Sequence, residues 1–357
     1  MVTRYLLHGV RLLSDVALPD VTPRAGGHTI TALVPGDVPG LNGRAGADGP
    51  ADVRIELLEY QPVGVEPPPG DLILDHHVHG HRQYAASRTG GHLRLRVPGY
   101  ADFDVSGDLT RIACAPDPRV APGYLPLMLT GNVLSFLMTL AGRTVLHAGA
   151  VEVAGGALVV VGPSGVGKST LTAWLCTAGA RLVTDDVLRL DGDATCHRGG
   201  REIRLRDRAY QLARRLEQSG SAIRRTVDGR FAVRPPATAS ARLPVRAIVI
   251  PRPSPGSRDL RELRDLVVRR MDAVSSAMVL AGVPRTLGWR LRGPSHTHFT
   301  TAADVAATVP VHVVDIPWGP PFDPGTPRRL LEQLGVEPTQ DGATREALDA
   351  QELAVRR

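Results

Sequence analysis

A glycine-rich stretch, GPSGVGKST at residues 162–170, contains Lys168, the only lysine among the chain's 42 basic residues. Glycines at 162, 165 and 167 allow backbone N–H groups to turn inward around an anion where a Cβ would block the approach. A compact ammonium fits within such a ring of amides, whereas a guanidinium is planar and wide. The stretch therefore predicts a phosphate site in which arginine cannot replace the lysine.

The context of this stretch supports the same interpretation. It matches G-x-x-x-x-G-K-[ST] at every position, follows the apolar strand 157–161 and precedes an amphipathic helix that begins near Lys168. The positive end of that helix dipole would point at the same phosphates. We predict ATP and Mg²⁺ as cofactors, with Ser169 as a Mg²⁺ ligand. The predicted nucleotide-binding residues are Gly162, Ser164, Gly165, Val166, Gly167, Lys168, Ser169 and Thr170.

Two adjacent carboxylates, Asp185 and Asp186, end the next predicted strand. In a doubly wound sheet, the carboxyl ends of the strands face the ligand crevice. One carboxylate could hold Mg²⁺ while the other accepts a proton from an attacking hydroxyl. The order of the two roles stays open. The chain lacks the L-S-G-G-Q stretch of transporter ATPases and the N-K-x-D stretch that selects guanine.

Residues 147–190 resemble the nucleotide-binding core of the HPr kinase/phosphorylase family. The resemblance lies in a histidine segment (HAGAV), the glycine loop and the Asp-Asp pair at the same spacing, and it extends weakly over about 130–335. It implies that His147 supports the catalytic carboxylate, that Lys168 binds phosphate and that Ser169, Asp185 and Asp186 serve the metal and base roles. Arg204, in the segment REIRLRD, would steady the transferred charge.

The loop is similar in particular to HPr-kinase-like proteins of lasso-peptide clusters, which phosphorylate a serine of a precursor peptide. This resemblance implies a Mg²⁺-dependent serine/threonine kinase whose substrate is a peptide or protein. Two alternatives stay open from the residues. One is a kinase for the hydroxyl of a small molecule such as an amino acid, and the other is a nucleotide-binding regulatory module with little turnover.

The elements that must position these residues form an α/β pattern. Residues 131–335 predict a P-loop kinase-like domain with a mostly parallel sheet, because strands and helices alternate there. Residues 1–130 predict a smaller β-rich domain of hairpins that recognises the substrate or covers the site. Residues 336–357 form a polar tail.

Three local segments give further expectations. The pattern predicts a basic helix over Asp259–Val274, and the segment HTHF at 296–299 is expected to begin a helix. The histidine-rich run at 75–84 is interpreted as a solvated hairpin face and not as a metal site, since alternating ligands on an edge strand rarely converge.

Composition limits the partners. The formal net charge is +6, yet no long arginine run and no aromatic-studded basic stretch indicates nucleic-acid binding. The longest apolar stretch is interrupted by proline and glycine, so we expect no membrane span. The three cysteines show no metal or disulfide spacing, which predicts a reducing, cytoplasmic location. The oligomeric state stays open, a homo-oligomer included.

Overall fold

The computed structural model describes residues 2–18, 21, 53–255 and 266–336. The predicted polar tail, apart from Val336, lies outside these residues, as does most of the glycine- and proline-rich segment at 21–50. The helices are α1 (Tyr124–Met128), a π-helical turn (Leu129–Val133), α2 (Leu134–Leu140), α3 (Lys168–Thr177), a 3-10 turn (Asp207–Ala209), α4 (Tyr210–Gln218), α5 (Ala273–Ala281), α6 (Arg292–Thr308) and α7 (Thr326–Gln333).

The strands of the first half form one eight-stranded sheet. They are β1 (Thr3–Leu7), β2 (Val10–Ser14), β3 (Val53–Leu57), β4 (Asp71–Val78), β5 (His81–Thr89), β6 (His92–Val97), β7 (Ala101–Ser106) and β8 (Arg111–Pro116). Their order in the sheet is β1-β2-β3-β8-β7-β6-β5-β4. Only the β2–β3 and β3–β8 pairs are parallel. Residues 1–130 are thus rich in strands and hairpins, as the sequence predicts.

The helical segment 124–140 covers one face of this sheet. Phe136 of α2 and Phe103 of β7 are both fully buried in the core that the sheet shares with these helices. Phe136 also stacks on Trp289 at a centroid distance of 5.6 Å. The core of the first sheet therefore includes side chains beyond residue 130.

A second sheet and a small third sheet follow. The strands are β9 (Thr144–Leu146), β10 (Gly149–Val153), β11 (Gly156–Val160), β12 (Arg181–Thr184), β13 (Leu188–Leu190), β14 (Thr195–His197), β15 (Ile203–Leu205), β16 (Ala222–Arg225), β17 (Phe231–Arg234), β18 (Arg242–Pro255), β19 (Val267–Arg270) and β20 (Val311–Trp318). The second sheet runs β12-β10-β11-β18-β14-β13-β9, with β20 and then β19 joined to β18. The third sheet runs β15-β17-β16.

The prediction of a mostly parallel sheet is wrong. Only the β11–β18 and β18–β20 pairs of the second sheet are parallel. The other pairs are antiparallel because short turns join several neighbours directly, such as the two residues at Ala154–Gly155 that connect β10 to β11. Two-residue turns allow only antiparallel pairing, since parallel neighbours need a long crossover. The fold is a mixed α/β fold with several sheets.

Helices pack on both faces of the second sheet. Trp174 and Leu171 of α3 are fully buried against one face, together with the apolar residues of α4 and α7. Leu280 of α5 and Val305 of α6 are buried on the other face. These layers fix α3, and therefore the glycine loop that precedes it, against the ends of β11 and β18.

Two of the local predictions need correction. Val267–Arg270 form β19 and pair with β20, so the predicted helix over 259–274 is wrong in its described part, and residues 259–265 lie outside the description. Pairing with the free edge of β20 outweighs the weak helical pattern. The segment HTHF lies inside α6, which begins at Arg292. None of the helices in the described ranges is long and apolar enough to cross a bilayer.

The histidine run at 75–84 forms the β4–β5 hairpin, with His77, His79 and His81 exposed. Across the described ranges, no group of three or more His, Cys, Asp or Glu side chains is placed to hold a metal ion.

Candidate functional site

The loop between β11 and α3 depends on its glycines. Gly162, Gly165 and Gly167 have φ angles of +142°, +85° and +100°, a region that side chains rarely adopt. A Cβ on Gly167 would lie 2.5 Å from the ring of Trp318 on β20. The loop conformation is thus set both by glycine backbone freedom and by a ring packed against it.

The sole lysine folds back over this loop. The Nζ of Lys168 donates to the carbonyl oxygens of Gly162 and Pro163, both at 2.9 Å. Burial lowers the pKa of Lys168 to about 8, although the nearby charges of Asp186 and Asp185 act in the opposite direction. Ser169 and Thr170 lie half-buried in the first turn of α3. Among the other predicted loop residues, Ser164 is exposed and Val166 is half-buried.

Asp185 follows the end of β12 and has one oxygen without a partner. Its Oδ2 accepts the backbone N–H of Arg204 at 3.3 Å. Its Oδ1 is buried and has no hydrogen-bond partner among the described residues. Burial and the charge of Asp186 raise the pKa of Asp185, against the opposing influence of the Ser169 hydroxyl and Arg204. This carboxylate therefore holds a proton more readily than an ordinary aspartate.

The surroundings of Asp186 favour its charged form, unlike those of Asp185. The Nδ1 of His147 lies 3.0 Å from its Oδ1, and the guanidinium groups of Arg204 and Arg285 each donate to its Oδ2 at 3.1 Å. Burial favours the neutral form, but Arg285, His147 and Arg204 together hold the pKa of Asp186 well below its usual range. Asp186 is therefore a fixed anion whose oxygens are already engaged.

Sequence reasoning missed Arg285 and Asn132. The Nη2 of Arg285 also donates to the Asn132 side-chain oxygen at 3.0 Å, which ties the π-helical turn to Asp186. A Cβ on Gly131 would lie 3.2 Å from the same guanidinium group. No local spacing links residues 131, 186 and 285, because tertiary packing alone brings them together.

An open cleft adjoins the two aspartates. Its empty volume is about 410 Å³ with open solvent included. One wall carries Glu202 and Arg204, and another carries Leu7 and His8 from the turn between β1 and β2. His8 is 2% exposed, and its Nδ1 has no hydrogen-bond partner in the described part of the chain. The first sheet therefore contributes directly to the surroundings of Asp185 and Asp186.

The structure thus brings His147, Lys168, Ser169, Asp185, Asp186 and Arg204 into one site. The carboxylates act electrostatically on the Lys168 ammonium, and the Ser169 hydroxyl acts on Asp185. A loop lysine, a hydroxyl, two carboxylates of opposite tendency and two arginines are the groups that positioning and charge stabilisation of a transferred phosphoryl group require.

Comparisons with known proteins give limited information. No protein-family model matches the chain, and no curated protein matches it. The solved structure of the Hpr(Ser) kinase/phosphatase from Coxiella burnetii shows a weak structural resemblance, with 11% sequence identity and a TM-score of 0.24. The match covers 58% of this chain and 98% of that chain.

Proposed function

We propose that the protein is an ATP-dependent kinase that transfers the γ-phosphoryl group to a serine or threonine hydroxyl of a peptide or protein. The observation that carries this proposal is the placement of Lys168 and Asp185 in one site. A lone buried ammonium closes the glycine loop, and a carboxylate with a raised pKa and an unpartnered oxygen lies within its electrostatic reach.

The loop side of the site suits the phosphates of ATP. The amide groups of Lys168 and Ser169 open helix α3, where no preceding turn is available to accept their hydrogen bonds. Lys168 donates to two carbonyl oxygens, and a phosphate oxygen would offer its buried ammonium a charged partner. With a pKa of about 8, the side chain is largely charged at neutral pH.

The residues also suit Mg²⁺ bound together with ATP. Mg²⁺ in such sites is held by one or two protein oxygens together with phosphates and water, so a larger cluster of ligands is not required. The Ser169 hydroxyl, half-buried in the first turn of α3, is an oxygen of this kind. The ion would supply neutralisation of the charge on the β- and γ-phosphates.

We assign the proton-accepting role to Asp185 and a positioning role to Asp186. A general base works best when its pKa lies towards the working pH, and a pair of carboxylates with opposite shifts separates the two roles. Asp186 holds Arg204 and Arg285 in place, with their positive charge close to the reacting groups. His147 completes this cluster through its contact with Asp186.

The acceptor would enter through the cleft beside the aspartates. Its lining includes Leu7 of β1, Thr130 of the π-helical turn and Arg204 of β15, so three separate segments surround the acceptor. The similarity of the glycine loop to lasso-peptide kinases supports a narrower form of the proposal, in which the acceptor is a serine of a precursor peptide.

The test is phosphoryl transfer from radiolabelled ATP to serine-containing peptides, compared with free serine. Lys168→Arg should lower kcat/KM by about 10²–10³-fold, as loss of one preorganised contact does, while circular dichroism shows an unchanged fold. Arg328→Lys is the matched control, because it exchanges the same residue types at an exposed position of α7. Near-normal turnover by Lys168→Arg, or faster phosphorylation of free serine than of any peptide, would contradict the proposal.

A further inference from the structure

The excess positive charge of the chain is concentrated in one segment. Residues 201–234 contain ten arginines and four carboxylates, a formal excess of +6 that equals the net charge of the whole chain. This segment forms β15, α4, β16 and β17, and therefore includes the complete third sheet. The remaining residues are balanced in charge. An anionic partner would consequently be attracted to this segment.

One face of the third sheet carries arginines and extends to Asp185 and Asp186. Ile203 and Val233 are fully buried, so their face of the sheet packs on the core. Arg204, Ala232 and Arg224 lie side by side across the three strands and occupy the opposite face. Arg204 contacts Asp186, and Glu202 and Arg204 line the cleft. The outer face of the third sheet thus continues the wall of the cleft outward.

The outer face already binds a carboxylate. Glu202, whose side chain is 5% exposed, accepts hydrogen bonds from Arg224 at 2.6 Å and from Arg234 at 2.8 Å. Both arginine side chains remain more than 40% exposed. The fork geometry of a guanidinium group is directed towards carboxylates, so an exposed guanidinium group can bind a second one.

The edge of this sheet is also open. Strand β16 is paired with β17 on one side, and within the described ranges its other side has no strand. Within the described ranges, no further strand therefore blocks a peptide that crosses the outer face from Arg204 to Arg224. Two strand spacings, about 10 Å, separate the backbone of Arg204 from that of Arg224, which corresponds to about three residues of extended chain.

We infer that the outer face of the third sheet, centred on Arg224 and Arg234, docks an acidic segment of the peptide acceptor. The segment carries a carboxylate about three residues from the phosphorylated hydroxyl. This inference deepens the proposed kinase function and rests on it for the position of the hydroxyl. Docking of the acidic segment itself is a binding property that does not require transfer.

The test uses matched short peptides with one serine and a single glutamate placed at successive positions on either side, each with a glutamine twin. The rate of phosphoryl transfer gives kcat/KM for each peptide. Fluorescence anisotropy gives the binding affinity of the same peptides with alanine in place of the serine. The glutamate peptide with a separation of about three residues should be preferred about tenfold over its twin. Arg224→Gln should reduce this preference, measured as the ratio of the two kcat/KM values, to less than about twofold.

Three further results complete the test. Arg328→Gln removes the same charge from α7 and should retain the preference. Arg224→Glu should reverse the preference, so that a peptide with lysine in place of the glutamate becomes the better substrate. A purely structural effect would not produce this reversal. Equal binding of the glutamate and glutamine peptides, or tighter binding of a single-stranded oligonucleotide that displaces them, would overturn the inference. Loss of all transfer with intact charge-dependent binding would contradict only the proposed kinase function.

Discussion

The glycine loop and the cluster around Asp186 belong to one site, but they are assembled in different ways. Lys168 bonds to carbonyl groups five and six residues earlier, so the hydrogen bonds of its ammonium lie within one segment. Asp186 collects partners 39, 18 and 99 residues away in sequence. The hydrogen bonds of the lysine are therefore local, whereas the charge state of the aspartate pair depends on distant segments of the chain.

This difference divides the two aspartates as well. Asp185 is close to the loop and α3, and burial keeps one of its oxygens unpartnered. Asp186 is close to segments that are distant in sequence, and their residues Arg204 and Arg285 supply positive charge. Adjacent residues of identical chemistry thus acquire opposite pKa shifts. Substitutions of the two should accordingly affect different properties.

The largest effect is expected for Asp185→Asn. The amide cannot accept a proton, so kcat/KM for phosphoryl transfer should fall about 10²–10⁴-fold. In the wild-type protein, kcat/KM should fall as the pH drops through the raised pKa of Asp185, because the base must be ionised. The pH profile of transfer and a thermal melt measure both properties. The melt should show equal or higher stability, since a buried carboxylate with one unpartnered oxygen becomes a neutral amide. A variant within tenfold of wild-type activity would refute the assignment.

Asp186→Asn should act mainly on stability. It leaves Arg204, Arg285 and His147 around a neutral amide, and loss of one partner from such a cluster costs about 3 kcal/mol. The depressed pKa of Asp186 stabilises the fold above the ordinary aspartate pKa, and this contribution is lost as the pH falls towards the folded-state value. Urea unfolding at neutral and acidic pH should show the deficit shrinking in acid. A pH-independent deficit would be inconsistent with this account.

Gly167→Ala tests how closely the glycine loop is packed. The new Cβ would combine a strained φ of +100° with a 2.5 Å approach to the Trp318 ring, and we expect about 1–3 kcal/mol of weaker ATP binding. Gly179→Ala is the matched control, because its φ is +92° and no described atom lies within 4 Å of the added Cβ. ATP titration of both variants isolates the ring contact. Equal ATP affinity in the two would show that Trp318 does not constrain the loop.

The sequence allowed prediction of those features whose cause is local. The glycine loop, helix α3, the strand before the Asp-Asp pair and the hairpins of the first half follow from periodicity and turn residues. The partners of the central strands did not, since β10 pairs with β12 as well as with β11, and α3 separates β11 from β12 in the chain. The helix expected over 259–274 failed in its described part because an edge of β20 was available for pairing.

The residues of the site could likewise be predicted only where the cause is local or a family resemblance exists. Lys168 and Ser169 could be assigned from spacing, and His147 and Arg204 from resemblance to a family. Arg285 and Asn132 could not, because their meeting with Asp186 depends on how the segment after α5 crosses the π-helical turn. His8 enters the cleft from a turn at the start of the chain, which no pattern near residues 185–186 indicates.

The smallest loss of kcat/KM is expected for Arg285→Lys. This variant tests the contacts that Asp186 makes with distant segments of the chain. The Nη2 of Arg285 donates to both Asn132 and Asp186, whereas an ammonium keeps the charge but loses the planar fork. Losing one such hydrogen bond should cost about 1 kcal/mol, or about fivefold in kcat/KM. Arg290→Lys is the control, since Arg290 is 58% exposed and 3.7 Å from Asp75. Because the charge beside Asp186 is retained, the acid limb of the pH profile should stay in place while the rate falls. An unchanged rate together with an unchanged acid limb would mean that charge alone, and not the tie to the π-helical turn, is what Arg285 provides.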